Sequence, residues 1–258
     1  MIRTVATLSL LLLLPLTAAA AAPCPGNPAT LGTERVLEVS AATTPRVGRK
    51  HFPATLALGP KELVLTFDDG PLPETTPAVL EALRRECVRA SFFLLGQHAQ
   101  KHPELARRIL AEGHTVAHHT YSHKVLNRLP IAAAEAEIDR GIEEDEYAVY
   151  GQRRRDPVTP FFRFPGFASS PALLERLARR GIVVFGADLW ASDWDPMTPE
   201  QQLNLVMARV EQSGRGILLF HDTRAQTVQM LPSFLRELKR RGYRIVHVVP
   251  AGARGLLR

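Results

Sequence analysis

Glu62-Leu63-Val64-Leu65-Thr66-Phe67-Asp68-Asp69-Gly70-Pro71 is the stretch on which the fold turns. Leu63 to Phe67 is a short apolar run rich in β-formers, and Asp68-Asp69-Gly70-Pro71 breaks it. Such a run, bounded by a turn signal, is a buried strand that ends in a loop. Downstream, residues 75–86 place Val79, Leu80 and Leu83 on one face of an amphipathic helix. Residues 91–95 follow as a strand, 103–112 as a helix closed by Gly113, and 115–117 as a short strand. The pattern continues with a helix over 131–147, a strand at 161–164 broken by Pro165 and Gly166, and a helix over 172–180. Then come a strand at 182–185, a helix over 200–212, a strand at 216–220, a helix over 231–240 and a strand at 244–249. Strands alternating with helices imply parallel strands joined by helical crossovers. About seven such units over roughly 200 residues suit an α/β chain folded as a (β/α) barrel, complete or incomplete.

Upstream, residues 23–60 are rich in Pro, Ala, Thr and Gly, with one strand expected at 36–39. They read as a lead-in packed in part on a main domain that spans 61–258. Residues 1–22 have a positive Arg3, an apolar centre from Leu8 to Leu14 and small residues from Ala18 to Ala22. That is the pattern of a secretory signal peptide, so the mature protein is expected to be exported, periplasmic or extracellular, with no membrane span. Cys24 and Cys87 then remain, either as a disulfide or as two unpaired thiols. The net charge of +6 is scattered over helices such as the one carrying Arg84 and Arg85, and no basic stretch is interleaved with aromatics. Nucleic acid is therefore not the expected partner. The acidic run Glu143 to Glu146 reads as a solvated helix face.

Polar residues fall at the C-terminal ends of the expected strands: Asp68 and Asp69, His119 and His123, Arg163, Asp193, and His221. In a β/α barrel that is the face where active sites form. His119 and His123 are four apart and can aim at one metal ion, while His118 points elsewhere. Asp68 and Asp69 repel each other at the end of a buried strand unless a cation or an arginine balances them. His221, directly after an apolar strand, suits a general acid or base, and Asp193 can orient it and raise its pKa. Trp194 can wall an apolar pocket.

Thr66-Phe67-Asp68-Asp69-Gly70, His119-Thr120-Tyr121-Ser122-His123, Arg163-Phe164-Pro165, Asp193-Trp194 and Leu219-Phe220-His221 resemble, in order, the motifs of the NodB-homology polysaccharide deacetylases, carbohydrate esterase family 4. The resemblance runs from about Glu62 to Pro250 and implies a distorted (β/α) barrel. It implies zinc, or another divalent transition metal, on Asp69, His119 and His123. Asp68 would be the general base, paired with Arg163, and His221 the general acid, tuned by Asp193. Trp194 and Leu219 would line the acetyl pocket, with a backbone N–H near Gly166 facing the oxyanion. Gly166 stands where the family often carries an aromatic residue, and Phe167 follows it. The implied substrate is an acetylated polysaccharide: chitin-like, peptidoglycan or poly-N-acetylglucosamine. An O-deacetylase such as an acetylxylan esterase would use the same groups. A non-catalytic carbohydrate-binding relative would be marked by loss of Asp68, His221 or a metal ligand, and none is lost here.

Overall fold

The computed structural model describes residues 29–253. Residues 1–22, expected to be a signal peptide, and Cys24 lie outside the described residues; Cys87 is disulfide-bonded, and no described cysteine is free. The strands are β1 (Thr33–Val39), β2 (Arg46–Val47), β3 (Glu62–Asp68), β4 (Ser91–Leu94), β5 (Thr115–His118), β6 (Phe161–Phe162), β7 (Val183–Phe185), β8 (Leu189–Trp190), β9 (Gly216–His221) and β10 (Arg244–Pro250). The helices are α1 (Thr76–Arg85), α2 (Gly96–Lys101), α3 (Pro103–Ala111), α4 (Ile131–Tyr150), α5 (Pro171–Arg179), α6 (Pro199–Ser213) and α7 (Ala225–Arg240).

The strand pairs are parallel, and β8, β9, β3, β4, β5, β6 and β7 follow one another around a curved wall. No pairing joins β7 to β8 among the described residues; β7 instead takes β2 on its free side. The result is a distorted, incomplete barrel. Both strand faces are buried, which is why Leu63 to Phe67 does not alternate. Val64, Phe93, Ala117, Phe161, Phe185 and Ile217 share one apolar cluster with Val246 and Val248 of β10. Leu63, Leu65 and Phe67 join a second cluster with Val79, Leu80 and Leu83 of α1 and Phe234, Leu235 and Leu238 of α7.

Four local features differ from the sequence reading. β1 begins at Thr33 and pairs with β10, and β2 is a further strand, so residues 33–39 and 46–47 belong to the same sheet as the rest. α7 begins at Ala225 and carries Pro232 inside it, although a proline fits best in a first turn. The short polar helix α2 has no apolar periodicity to announce it. The acidic run is not solvated: Glu144, Asp145 and Glu146 are buried. Asp145 meets His118 Nδ1 at 2.8 Å, Arg153 grips Glu144, and Glu146 accepts the Val158 N–H. Burial, with Glu146 and Glu144 alongside, pushes the Asp145 carboxyl well up.

α4 also holds the loop after β5. A Cβ at Gly141 would lie 2.4 Å from the Thr120 carbonyl carbon, so only glycine allows this approach. Glu137 then accepts the Ser122 N–H through its side chain and the Tyr121 N–H through its backbone.

Two buried histidines tie the fold to pH. His114 Nδ1 accepts the Ala90 N–H, which leaves its proton on Nε2. Thr115 Oγ1 donates to the Val248 carbonyl, so it accepts from His247 Nε2. Burial holds both imidazoles down at about 3. In the unfolded chain they take up protons near pH 6.5, so the unfolded state binds more protons between pH 6.5 and 3. Stability is therefore present above that window and is lost as pH falls through it. Each histidine adds a slope of up to about 1.4 kcal/mol per pH unit. Urea midpoints are expected to fall from pH 7 to pH 5, and His247→Gln to flatten that fall; an unchanged slope would contradict the assignment.

Candidate active site

β3 and β9 run in register so that Asp68 lies beside His221, and Asp68 faces Phe93 of β4 on its other side. The loop after β5 brings in His119 and His123, the end of β6 brings Arg163, and the turn after β8 brings Asp193 and Trp194. All of the residues singled out in the sequence gather at the C-terminal end of the barrel.

Asp68 is 2% exposed. Its Oδ1 accepts from Arg163 Nη1 at 2.6 Å. Arg163 is fully buried and further donates to Thr66 Oγ1 and to the Phe185 and Gly186 carbonyls, with its guanidinium 4.2 Å from the Phe93 ring centre. Burial pushes the Asp68 carboxyl up, and the Arg163 charge and hydrogen bond oppose that rise. A buried carboxylate of this kind needs such a partner to stay ionised.

Asp69, His119 and His123 offer ligand atoms that all lie within 4.8 Å of one another. His119 Nε2 and His123 Nε2 stand 3.5 and 3.4 Å from Asp69 Oδ1. That oxygen is buried and has no hydrogen-bond partner. His119 donates from Nδ1 to the Arg163 carbonyl, which frees Nε2 as a lone-pair donor. His98 Nδ1 does the same for the Asp69 carbonyl at 2.7 Å. Asp69, Thr120 and His123 adopt positive φ, a conformation rare outside glycine and concentrated at functional sites. Two imidazoles, a carboxylate and an open side fit a divalent transition metal with an exchangeable position. Gly70 seats this loop on Asp222: a Cβ there would lie 2.2 Å from Asp222 Oδ2, which also accepts from Thr76 Oγ1.

Asp193 Oδ1 accepts from His221 Nδ1 at 2.7 Å, and Oδ2 accepts from the His221 N–H and Thr227 Oγ1. The proton on Nδ1 is thereby fixed, and His221 Nε2 lies 3.9 Å from Asp69 Oδ2. Burial disfavours the imidazolium, but the Asp193 hydrogen bond and charge, with Asp68 and Asp69, raise it to about 9. Asp188 takes a different part: it ties Arg49, Thr55 and Ile217 together and does not touch His221.

A cavity of about 480 Å³ lies over these groups, with Gly166, Trp194 and Leu219 in its wall. Gly166 has φ of 54° and nothing within 4 Å of a Cβ position. His51, Phe167, Trp190 and Arg224 also line it. Phe167 was visible in the sequence as the residue after Gly166. His51 carried no signal, because the pairing of β2 with β7 and the bonds of Arg49, Lys50 and Thr55 to residues 187–188 bring the lead-in to this face.

The polysaccharide deacetylase family profile matches residues 56–185. A peptidoglycan-N-acetylglucosamine deacetylase of Bacillus cereus is 34% identical over 73% of this chain and 86% of its own length. A chitooligosaccharide deacetylase of a Bradyrhizobium species is 31% identical over 74% of this chain and 90% of its own. Among solved structures, a peptidoglycan deacetylase of Bdellovibrio bacteriovorus superposes with a TM-score of 0.76 at 32% identity. That match covers 86% of this chain and 60% of the other.

Proposed function

Because the chain belongs to the polysaccharide deacetylase family, we propose that it hydrolyses the acetamide of N-acetylglucosamine-type residues in a polysaccharide, releasing acetate. The observation that carries this reading is the pairing of Asp68 with Arg163 and of His221 with Asp193 on either side of one Asp-His-His cluster. Zinc, or another divalent transition metal, held by Asp69, His119 and His123 would polarise the acetyl carbonyl and acidify an attacking water.

The chain's own groups move the protons. Asp68, held ionised and oriented by Arg163, takes a proton from the water as it attacks the carbonyl carbon. His221 enters the reaction charged and gives its Nε2 proton to the departing nitrogen. Asp193 keeps the other proton on Nδ1 and, as a carboxylate, stabilises the cation without itself becoming protonated. The Phe167 N–H is committed to the Phe164 carbonyl, so Gly166 is the N–H assigned to the oxyanion. Trp194 and Leu219 enclose the acetyl methyl. The polymer is assigned to the space outside the cytoplasm, and no described helix is long and apolar enough to cross a membrane.

The test offers chitin oligomers, peptidoglycan and acetylated xylan to the metal-loaded protein. Acetate with an equal amount of new free amine is expected from an N-acetylated polymer. Acetate from xylan alone would replace the amidase reading with an esterase.

A further inference from the structure

The two imidazoles of the cluster are held in different ways. His119 is buried, and its Nδ1 donates to the Arg163 carbonyl at 2.7 Å, which fixes the ring. The side chain of His123 is 42% exposed, and among the described residues no hydrogen bond reaches its Nδ1. Its ring neighbours Asp69 Oδ1 at 3.4 Å and the His119 ring at 5.1 Å, both of them parts of the cluster itself. The His123 backbone N–H donates to Thr120 Oγ1. Thr120 and His123 have φ of 71° and 62°, a left-handed conformation that persists only where the surroundings over-determine it. The place of the His123 ring therefore depends on what fixes its backbone.

α4 does that fixing. Glu137, Arg140 and Gly141 are three and four positions apart, so they share one face of the helix. Gly141 lets the Thr120 backbone lie against it. The Arg140 guanidinium sits 3.6 Å from the Tyr121 ring centre, and the Glu137 carbonyl accepts the Tyr121 N–H. The Glu137 carboxylate reaches both chain neighbours of His123. Its Oε2 accepts from the Ser122 N–H at 3.1 Å and from Ser122 Oγ at 2.9 Å, and its Oε1 meets Lys124 Nζ at 2.8 Å. Burial opposes its charge, but the bonds from Lys124 and Ser122 hold its pKa below the usual carboxylate range, so it stays ionised.

We propose that Glu137 is the positioning residue for His123: by gripping the residues on either side, it takes the part that the Arg163 carbonyl plays for His119. The proposal rests on the metal centre at Asp69, His119 and His123, and not on which polymer is hydrolysed. A partner behind a ligand raises metal affinity by fixing the direction of the ligand beforehand. Without the grip, the strained backbone at Thr120 and His123 relaxes, and the exposed ring leaves its place beside Asp69. The metal would then be held by Asp69 and His119 alone.

The test measures zinc affinity by competition with a chromophoric chelator, and kcat at saturating zinc, for the unaltered protein, Glu137→Ala, Glu137→Gln, Ser122→Ala and Glu135→Ala. Glu137→Ala is expected to bind zinc about 10–100-fold more weakly, the scale for a partner behind a metal ligand. Its kcat returns to that of the unaltered protein once zinc saturates, because Asp68 and His221 are untouched. Glu137→Gln keeps an acceptor for the Ser122 N–H and restores most of the affinity. Ser122→Ala cuts the Oγ half of the grip and repeats the loss in smaller measure, which keeps the test open where alanine at 137 does not fold. Glu135→Ala, on the same helix but paired with Arg176, leaves zinc affinity unchanged. Unchanged zinc affinity in Glu137→Ala, or in Ser122→Ala if the former does not fold, overturns the proposal. So does a loss that Glu135→Ala shares, which assigns the effect to the helix as a whole, or one that Glu137→Gln shares in full, which assigns it to charge. A loss in kcat that persists at saturating zinc overturns it too, by placing Glu137 in the chemistry. Zinc affinity that depends on Glu137 in this way, with no acetate from the unaltered protein on any N-acetylated polymer, leaves the positioning role standing and removes the deacetylase reading instead.

Discussion

Asp68→Asn is expected to keep its metal and lose kcat by about 10²–10⁴-fold, the range of a positioned general base. Asparagine has the same shape, and its carbonyl can still accept from Arg163 Nη1, which meets Asp68 Oδ1 at 2.6 Å. What is removed is the ability to take a proton. The three candidate ligands are other side chains, so metal content by elemental analysis should stay at the level of the unaltered protein. The substitution also leaves a buried guanidinium without its counter-charge, so thermal stability should be measured alongside. Acetate release at saturating substrate that matches the unaltered protein would remove Asp68 from the role of base.

Arg163→Met is expected to destabilise the fold by about 3–5 kcal/mol, because it strands one charge of a buried pair. Arg163 is fully buried, and its guanidinium also serves Thr66 and two backbone carbonyls. Asp68 without this partner loses what opposes its burial, so its pKa rises further. The acidic limb of the pH–rate profile should then move to higher pH, since only the carboxylate serves as base. Adding Asp68→Leu should restore part of the stability by removing the stranded charge, and none of the activity. Denaturant unfolding of the single and double variants checks the first part, and pH profiles check the second. A single variant as stable as the original would mean that the pair contributes nothing to the fold.

The barrel was readable because its strands are buried on both faces. Leu63 to Phe67 could only be a core strand, and the polar residues that interrupt each apolar run fall at one end of the sheet. His118 was also placed correctly: it turns away from the cluster and meets Asp145. Where the reading failed, long-range contacts overrode local pattern. The run Glu143 to Glu146 looks like a solvated face, but three of its carboxyl groups are buried against partners on other elements, His118, Arg153 and the Val158 N–H. Pro232 argues for a helix beginning near residue 231, yet α7 carries it well inside. His51 sits in a stretch of loop composition and reaches the groove through two residues of strand paired with β7 and through bonds from Arg49, Lys50 and Thr55 to residues 187–188. No window of sequence around it contains that partner.

The most direct test of the central claim is metal dependence of acetate release from an N-acetylglucosamine polymer. The protein is stripped with a chelator, assayed, reloaded with zinc and assayed again, and Asp69→Ala is carried through the same cycle. The expected result is activity lost on stripping and regained on reloading, with one equivalent of metal bound, and neither activity nor metal recovered in Asp69→Ala. Undiminished acetate release from metal-free protein would contradict a metal centre at Asp69, His119 and His123, and with it the mechanism built around that cluster.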